Sequence, residues 1–308
     1  MKNKLVIGTR KSVLALWQAE YVAQRLREQY PGLTVELLPV STRGDEILNM
    51  PLAEIGGKGL FIRELEELMR EGRADMAVHS LKDMPAELPE DFTLAAVTDR
   101  EDPRDAFVSL RYPGVEALPA GAKVGTSSLR RQSQLLHRRP DLVVESLRGN
   151  VQTRLRKLDE GQYDAVILAA AGLKRLGLGD RIASYLSTED SIPAAGQGVM
   201  AVEVRKKDEE TRQMLAFLHN ARVASCIAAE RAFLGCVGGD CKVPAGAFAA
   251  EDGDGLRVDA FIASEDGQTF YRRSVSGALP DAERLGTAVA DALLDDGGRA
   301  VLEAIANK

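Results

Sequence analysis

A chain of 308 residues, 45% hydrophobic and 28% charged, carries enough apolar surface for two or three packed domains and lacks the signature of a disordered chain. Its formal net charge of −6 and 5% aromatic content speak against nucleic acid as a partner. No run approaches the roughly 20 apolar residues of a membrane span, no signal-peptide pattern opens the chain, and the odd cysteine count (Cys226, Cys236, Cys241) fits neither a disulfide framework nor a paired-cysteine zinc site, so a cytoplasmic protein without a metal is expected.

In chain order, Leu5 to Gly8 reads as a strand. Ser12 is positioned as the N-cap of a helix whose apolar face is Val13, Leu16, Trp17, Tyr21 and Val22. Strands are expected at Val35 to Pro39, Asp75 to His79 and Thr93 to Val97, with a helix over Leu60 to Glu71. After the Glu101-Asp102-Pro103 turn the alternation repeats. Strands are expected at Lys123 to Gly125 (entering a helix), Leu142 to Glu145, Tyr163 to Leu168 and Val199 to Val204, and helices over Asn150 to Glu160 and Ala169 to Leu176. This order predicts mostly parallel sheets covered by helices. The last block changes character. A helix over Val223 to Leu234 precedes successive strands at Ala245 to Ala250, Leu256 to Ala263 and Thr269 to Val275, an antiparallel pattern, and helices from Asp281 and Gly298 close the chain. The expected fold is two α/β domains, 1–99 with 199–217 and 104–193, followed by a smaller α+β domain over 221–308.

Five clusters could carry chemistry. Gly56, Gly57, Lys58, Gly59 and Phe61 lie in a Gly-rich segment that fits either a surface turn or a loop approaching an anion, and its spacing is not that of a P-loop. His79-Ser80-Leu81-Lys82-Asp83-Met84-Pro85 follows a strand whose C-terminal end opens toward a crevice. There Asp83 is either a turn residue capping amides or an acid–base group, and Lys82 could pair with a substrate carboxylate. Gly125-Thr126-Ser127-Ser128-Leu129-Arg130-Arg131 joins a strand to a helix and gathers hydroxyl, amide and guanidinium donors suited to an anion. Arg10, Arg148, Arg154 and Arg175 recur after predicted strands or on the helices that follow them. Arginine at such positions suits several planar carboxylates on one ligand. Cys241, between Gly238-Gly239 and Pro244, is either an inert thiol under a loop or a nucleophile and covalent anchor.

Taken together, Ile7 to Ser12, Val40 to Asp45, Gly56 to Phe61, His79 to Pro85, Arg100 to Phe107, Gly125 to Gln132, Ser146 to Asn150, Pro193 to Gly198 and Gly239 to Pro244 resemble the hydroxymethylbilane synthase (porphobilinogen deaminase) family, and the resemblance runs from residue 5 to about residue 305. It implies two periplasmic-binding-protein-like α/β domains around a cleft, with the third domain anchoring a cofactor. The cofactor implied is dipyrromethane, bound through a thioether at Cys241, with Asp83 the catalytic carboxylate. Lys82, Asp83, Thr126, Ser127, Ser128, Arg130, Arg131, Arg148 and Arg154 match cofactor-binding positions. Arg10, Ser12, Arg148, Arg154, Arg175 and Gln197 match substrate positions, and Gly56 to Phe61 matches a lid. The implied activity is a transferase of haem and porphyrin biosynthesis: four porphobilinogen molecules are deaminated and joined head to tail, and hydroxymethylbilane is released with ammonia. A monomer is also implied. Two positions depart from the family pattern: Asp240 precedes the cysteine where a small residue is usual, and Val13 stands where proline is common. The competing readings are a reversible carboxylate-binding module, a cysteine hydrolase needing a base such as His219, and a nucleic-acid binder.

Overall fold

The computed structural model describes residues 2–42, 62–238 and 243–307. The described residues form two compact units: 2–42, 62–101 and 199–224 make the first, and 102–198, 225–238 and 243–307 the second.

In the first unit, β1 (Lys4–Arg10), β2 (Thr34–Val40), β3 (Met76–Ser80), β4 (Phe92–Val97) and β10 (Met200–Arg205) form one sheet in the order β2-β1-β3-β10-β4. β1 runs parallel to β2 and β3, and β10 is antiparallel to both of its neighbours. Alternation along the strands supplies two apolar faces. Leu5, Ile7, Met76, Val78, Val202 and Val204 meet Ala19, Val22 and Leu26 of α1 (Val13–Gln29). On the other face Ala77 and Phe92 meet Leu65, Leu68 and Met69 of α2 (Arg63–Arg70). Ser12 caps α1 as expected, its Oγ accepting from Ala15 N at 3.3 Å. A further helix, α6 (Glu209–Leu215), follows β10.

The second unit repeats the pattern. β5 (Asp105–Val108), β6 (Lys123–Gly125), β7 (Val143–Glu145), β8 (Ala165–Ala169) and β9 (Ser184–Leu186) are ordered β7-β6-β8-β5-β9. Here β6 is parallel to β7 and β8, and β5 is antiparallel to β8 and β9. Each five-stranded sheet is therefore mostly parallel, with one reversed strand. Helices α3 (Leu129–Arg138), α4 (Val151–Asp159) and α5 (Ala170–Arg175) follow β6, β7 and β8. The same unit holds a separate antiparallel sheet of β11 (Ala245–Asp252), β12 (Gly255–Ala263) and β13 (Phe270–Ala278). It packs through Ala247, Val258 and Ala260 on Phe233 of α7 (Ala221–Cys236) and on Val289 and Leu293 of α8 (Ala282–Leu293). The chain closes with α9 (Arg299–Ala306).

The fold class is the one expected from the sequence. Among the described residues, the strands β5 and β9 and the α-helix α6 were not expected. The two strands are four and three residues long, too short to display a period, and α6 is a seven-residue helix behind an Asp208 cap.

Candidate active site

In the first unit, β1 and β3 end side by side, and a pocket of about 50 Å³ opens at their C-terminal ends. Its lining includes Arg10, Ser12, Gln18, His79, Ser80 and Asp83. β3 delivers the chain into a tight 3₁₀ turn, Leu81–Asp83. Leu81 is buried and its N–H donates to Val199 O at 3.0 Å, while Met84 N donates back to Leu81 O at 3.0 Å. With Leu81 buried beneath it, the turn leaves the Asp83 carboxylate exposed and half-buries Lys82. Gln18 Nε2 donates to Ser80 Oγ at 2.8 Å, tying α1 to the same turn. Three expected residues from two separate segments of the sequence, Arg10 and Ser12 at the end of β1 and Asp83 after β3, thus line one pocket.

In the second unit, β6 leads through Thr126, Ser127 and Ser128 into α3. Thr126 is buried, and its Oγ1 accepts from Ser128 N at 3.2 Å. Ser127 Oγ donates to Leu147 O at 2.7 Å and lies 3.1 Å from Ser146 Oγ, which joins this loop to the one after β7. Ser128 caps α3 by accepting from Arg131 N at 3.4 Å. Gly125 leaves no room for a side chain, because a Cβ there would lie 2.9 Å from Leu147 and Tyr163 atoms. Arg154 Nε donates to Gly149 O at 2.8 Å, at a glycine with φ of +113° that suits the left-handed turn before α4. Arg175 Nη2 donates to Gly198 O at 2.6 Å.

Arg130 and Arg131 are placed differently from what their sequence position suggests. Both are buried against the carboxylate of Asp105, at 2.8 Å each. Arg131 also donates to Ile167 O at 3.1 Å, and Arg130 to Ile192 O at 2.5 Å. Gln197 Nε2 and Ser191 Oγ complete the shell, each 2.9 Å from Asp105. Burial alone would push the Asp105 carboxyl up, but the two guanidinium charges outweigh it and hold the group well below the usual carboxylate range. Sequence reasoning gave Asp105 no role. The signal available was its place in Arg100 to Phe107, one of the segments carrying the resemblance.

Arg148 makes the opposite arrangement. Its Nη1 is buried and has no hydrogen-bond partner among the described residues. A buried guanidinium donor without an acceptor is costly, and an anionic ligand group would satisfy it. Ser146 is two residues before Arg148, and its 3.1 Å contact with Ser127 Oγ joins that loop to the one entering α3, so the donor set fits a group bearing carboxylates. Among the described residues, no cluster of three His, Cys, Asp or Glu could hold a metal ion. Cys241 and the Gly56, Gly57, Lys58, Gly59 and Phe61 segment lie outside the described residues.

Residues 5–213 match the family model described as porphobilinogen deaminase, dipyromethane cofactor binding domain, and residues 224–295 match porphobilinogen deaminase, C-terminal domain. The chain is 54% identical over 301 residues to the porphobilinogen deaminase of Methylobacillus flagellatus, covering 98% of this chain and 97% of that one. It is 53% identical over 303 residues to that of Chromobacterium violaceum, covering 98% of each. Among solved structures, the methionine binding protein MetQ aligns over 70% of this chain and 89% of its own, with a TM-score of 0.46 and 15% identity.

Proposed function

Since the chain belongs to the porphobilinogen deaminase family, we propose that it joins four porphobilinogen molecules head to tail on a dipyrromethane primer held through Cys241, and releases hydroxymethylbilane by hydrolysis. The reaction class is group transfer in tetrapyrrole synthesis. The primer, when bound, supplies the pyrrole carbon at which the chain grows. The observation that carries the assignment of the reacting site is Asp83: an exposed carboxylate on a turn anchored by buried Leu81, facing a pocket shared with Arg10 and Ser12.

The residues divide the work. Arg10 and Ser12 are placed to hold a substrate carboxylate beside Asp83. Asp83 accepts pyrrole N–H bonds and stabilises the positive charge that develops on the ring as ammonia departs. It also takes part in proton transfer. In the second unit Arg148, with its unsatisfied Nη1, Arg154, Arg175 and the Thr126-to-Ser128 hydroxyls hold the acetate and propionate groups of primer and substrate. Arg130, Arg131 and Gln197 act through Asp105, fixing the loop on which the neighbouring donors sit. Three domains, 1–99 with 199–217, 104–193 and 221–308, fit the three sheets, and the Gly56-to-Phe61 segment is assigned as the lid. No helix among the described residues is long and apolar enough to cross a membrane. The proposal is completed by a cytoplasmic monomer.

The deciding experiment is the intact mass of the purified protein beside a Cys241→Ser variant. The expected result is a native protein heavier by one dipyrromethane unit and a variant at its bare polypeptide mass. If neither protein carries the adduct, even after incubation with porphobilinogen, the covalent primer is wrong and a reversible carboxylate-binding module takes its place.

A further inference from the structure

Below the Asp83 pocket lies a group of ionisable side chains that the reaction as described does not use. His79 lines the pocket and is itself buried. On the sheet it pairs with Ala201, and the next residue on the same face of β10 is Glu203, paired with Ala77. This diagonal relation brings His79 Nε2 to 2.9 Å from Glu203 Oε2. Glu203 has no exposed surface, and its Oε1 has no hydrogen-bond partner among the described residues. The strand register is broken at this place: between Val202 and Glu203 the pairing with β4 skips Ala95, a bulge within the sheet. Bulges of this kind re-aim side chains and concentrate near active sites. α2 covers the same face and brings a second buried carboxylate, Glu66. Burial first, and then the negative charge of Glu203, push the Glu66 carboxyl up to about 6. Arg70 Nη2 stands 3.7 Å from Glu66, and Arg70 is in turn bonded to Asp91 at the surface. Arg10 and Asp83 line the same pocket as His79.

Glu203 keeps one buried carboxylate oxygen without a partner among the described residues, and burial favours the protonated form of Glu66 beside it. We propose that His79, Glu203 and Glu66 form a proton-holding unit beneath Asp83, and that His79 is the member exchanging protons with the pocket. The inference rests on the proposed condensation. Each coupling breaks the C–N bond of an aminomethyl group and the C–H bond of a pyrrole α-carbon, and forms one C–C bond. The aminomethyl group departs from its protonated, ammonium form, leaving as ammonia with the C–N electron pair. The α-carbon proton must be accepted, and it returns to the departed ammonia to give ammonium. Asp83 is the pocket-side acceptor, and the unit lies behind it as the store. Glu203 holds His79 through the 2.9 Å contact between Oε2 and Nε2, and Glu66 stands beyond it on α2. Glu203 and Glu66 are positioning residues, since neither lines the pocket.

The test compares Glu203→Gln and Glu66→Gln with the unaltered enzyme carrying its primer. First, porphobilinogen consumption and ammonia release by the unaltered enzyme are measured; absence of turnover there refutes the condensation itself and is separate from the fate of the unit. Second, the kcat–pH profile is taken for all three proteins. Removing the Glu203 charge weakens His79 as an acceptor. Plateau kcat is expected to fall by about a hundredfold, the lower end of an acid–base contribution, with KM little changed. The acidic limb, where the unit is already full, moves to lower pH. Glu66→Gln moves that limb in the same direction by less, and because Arg70 keeps Asp91 as its partner, a melting curve of each variant separates loss of fold from loss of the unit. Third, ¹⁵N spectra follow the three imidazoles, His79, His137 and His219, independently of turnover. The His79 titration should move to lower pH in Glu203→Gln, while His137 and His219 stay in place. Limbs and imidazole titrations that coincide in all three proteins overturn the proposal, and so does a loss of activity that is uniform across pH.

Discussion

Asp105 is fully buried, and five hydrogen bonds from Arg130, Arg131, Ser191 and Gln197 converge on its two oxygens. Replacing it by Asn leaves two buried guanidinium groups without their counter-charge, and a loss of about 3–5 kcal/mol of stability is expected. The pH dependence has a definite sign. Because the native carboxyl titrates below its ordinary range, the stability it confers is complete above about pH 4 and is lost as pH falls through the native value. Urea unfolding at pH 7 and pH 3 should show a large gap between the unaltered protein and Asp105→Asn at pH 7 that narrows at pH 3. An equal gap at both values would show that the carboxylate charge is not what matters. Asp83 is the contrasting case. It is exposed, so Asp83→Asn should keep the melting temperature within a degree or two while removing nearly all turnover, and substantial activity in the folded variant would remove its assigned role. In the sequence a proline-bounded turn after a strand singles out Asp83 as a position, but leaves it a turn cap or an acid–base group, and only the family resemblance supplies the second role. Sequence patterns do not reveal that Arg130 and Arg131 face inward to Asp105. Two consecutive arginines at a helix start look alike whether their partner is a ligand or a carboxylate one strand away in space, and that strand, β5, is only four residues long.

At the scale of elements, most of the first two-thirds was legible because apolar periods change cleanly from two to 3.6 between turn signals. The expected strand at Lys123 to Gly125 is β6 itself, and the expected helix over Asn150 to Glu160 is α4 with Asn150 as its cap and Glu160 as its end. What sequence periodicity leaves out is how closely two elements approach. α7 and α8 meet at Gly286, where a Cβ would fall 2.0 Å from the Ala229 carbonyl oxygen. That atom is backbone, so the helices themselves would have to separate. Gly286→Ala should therefore destabilise by about 1–3 kcal/mol, despite alanine's higher helix propensity. Differential scanning calorimetry reads the effect as a lower melting temperature. A melting temperature at or above that of the unaltered protein would mean that the helices do not pack this closely. The turn Leu81–Asp83 illustrates the same limit from the other side: its sequence shows where the chain stops, but the anchoring bond from Leu81 N to Val199 O joins residues 118 positions apart.

The whole molecule is organised by chain crossings. The backbone leaves the first unit after Glu101 and returns at Val199, and the strand it returns as, β10, is inserted between β3 and β4. Without β10 the sheet β2-β1-β3 would end in an unpaired strand and β4 would have no partner, so residues 1–101 should not fold alone. The two crossing points lie together, because Thr98 N donates to Met200 O at 3.0 Å. Excising 102–198 and joining Glu101 to Val199 with a short Gly-Ser linker should therefore leave the first unit's hydrogen-bond network intact. That shortened chain, ending at Ala224, is expected to unfold cooperatively. The single tryptophan, Trp17, stacked on Tyr21 in α1, provides the fluorescence signal. The 1–101 fragment should show no such transition. The contrast follows from loop closure: sealing the long excursion between β4 and β10 removes an entropic cost of joining distant strands, while removing β10 takes away the contacts that repay it. A cooperative transition in 1–101 would show that the sheet does not depend on the returning strand. A non-cooperative shortened chain would show that the first unit draws its stability from the residues excised.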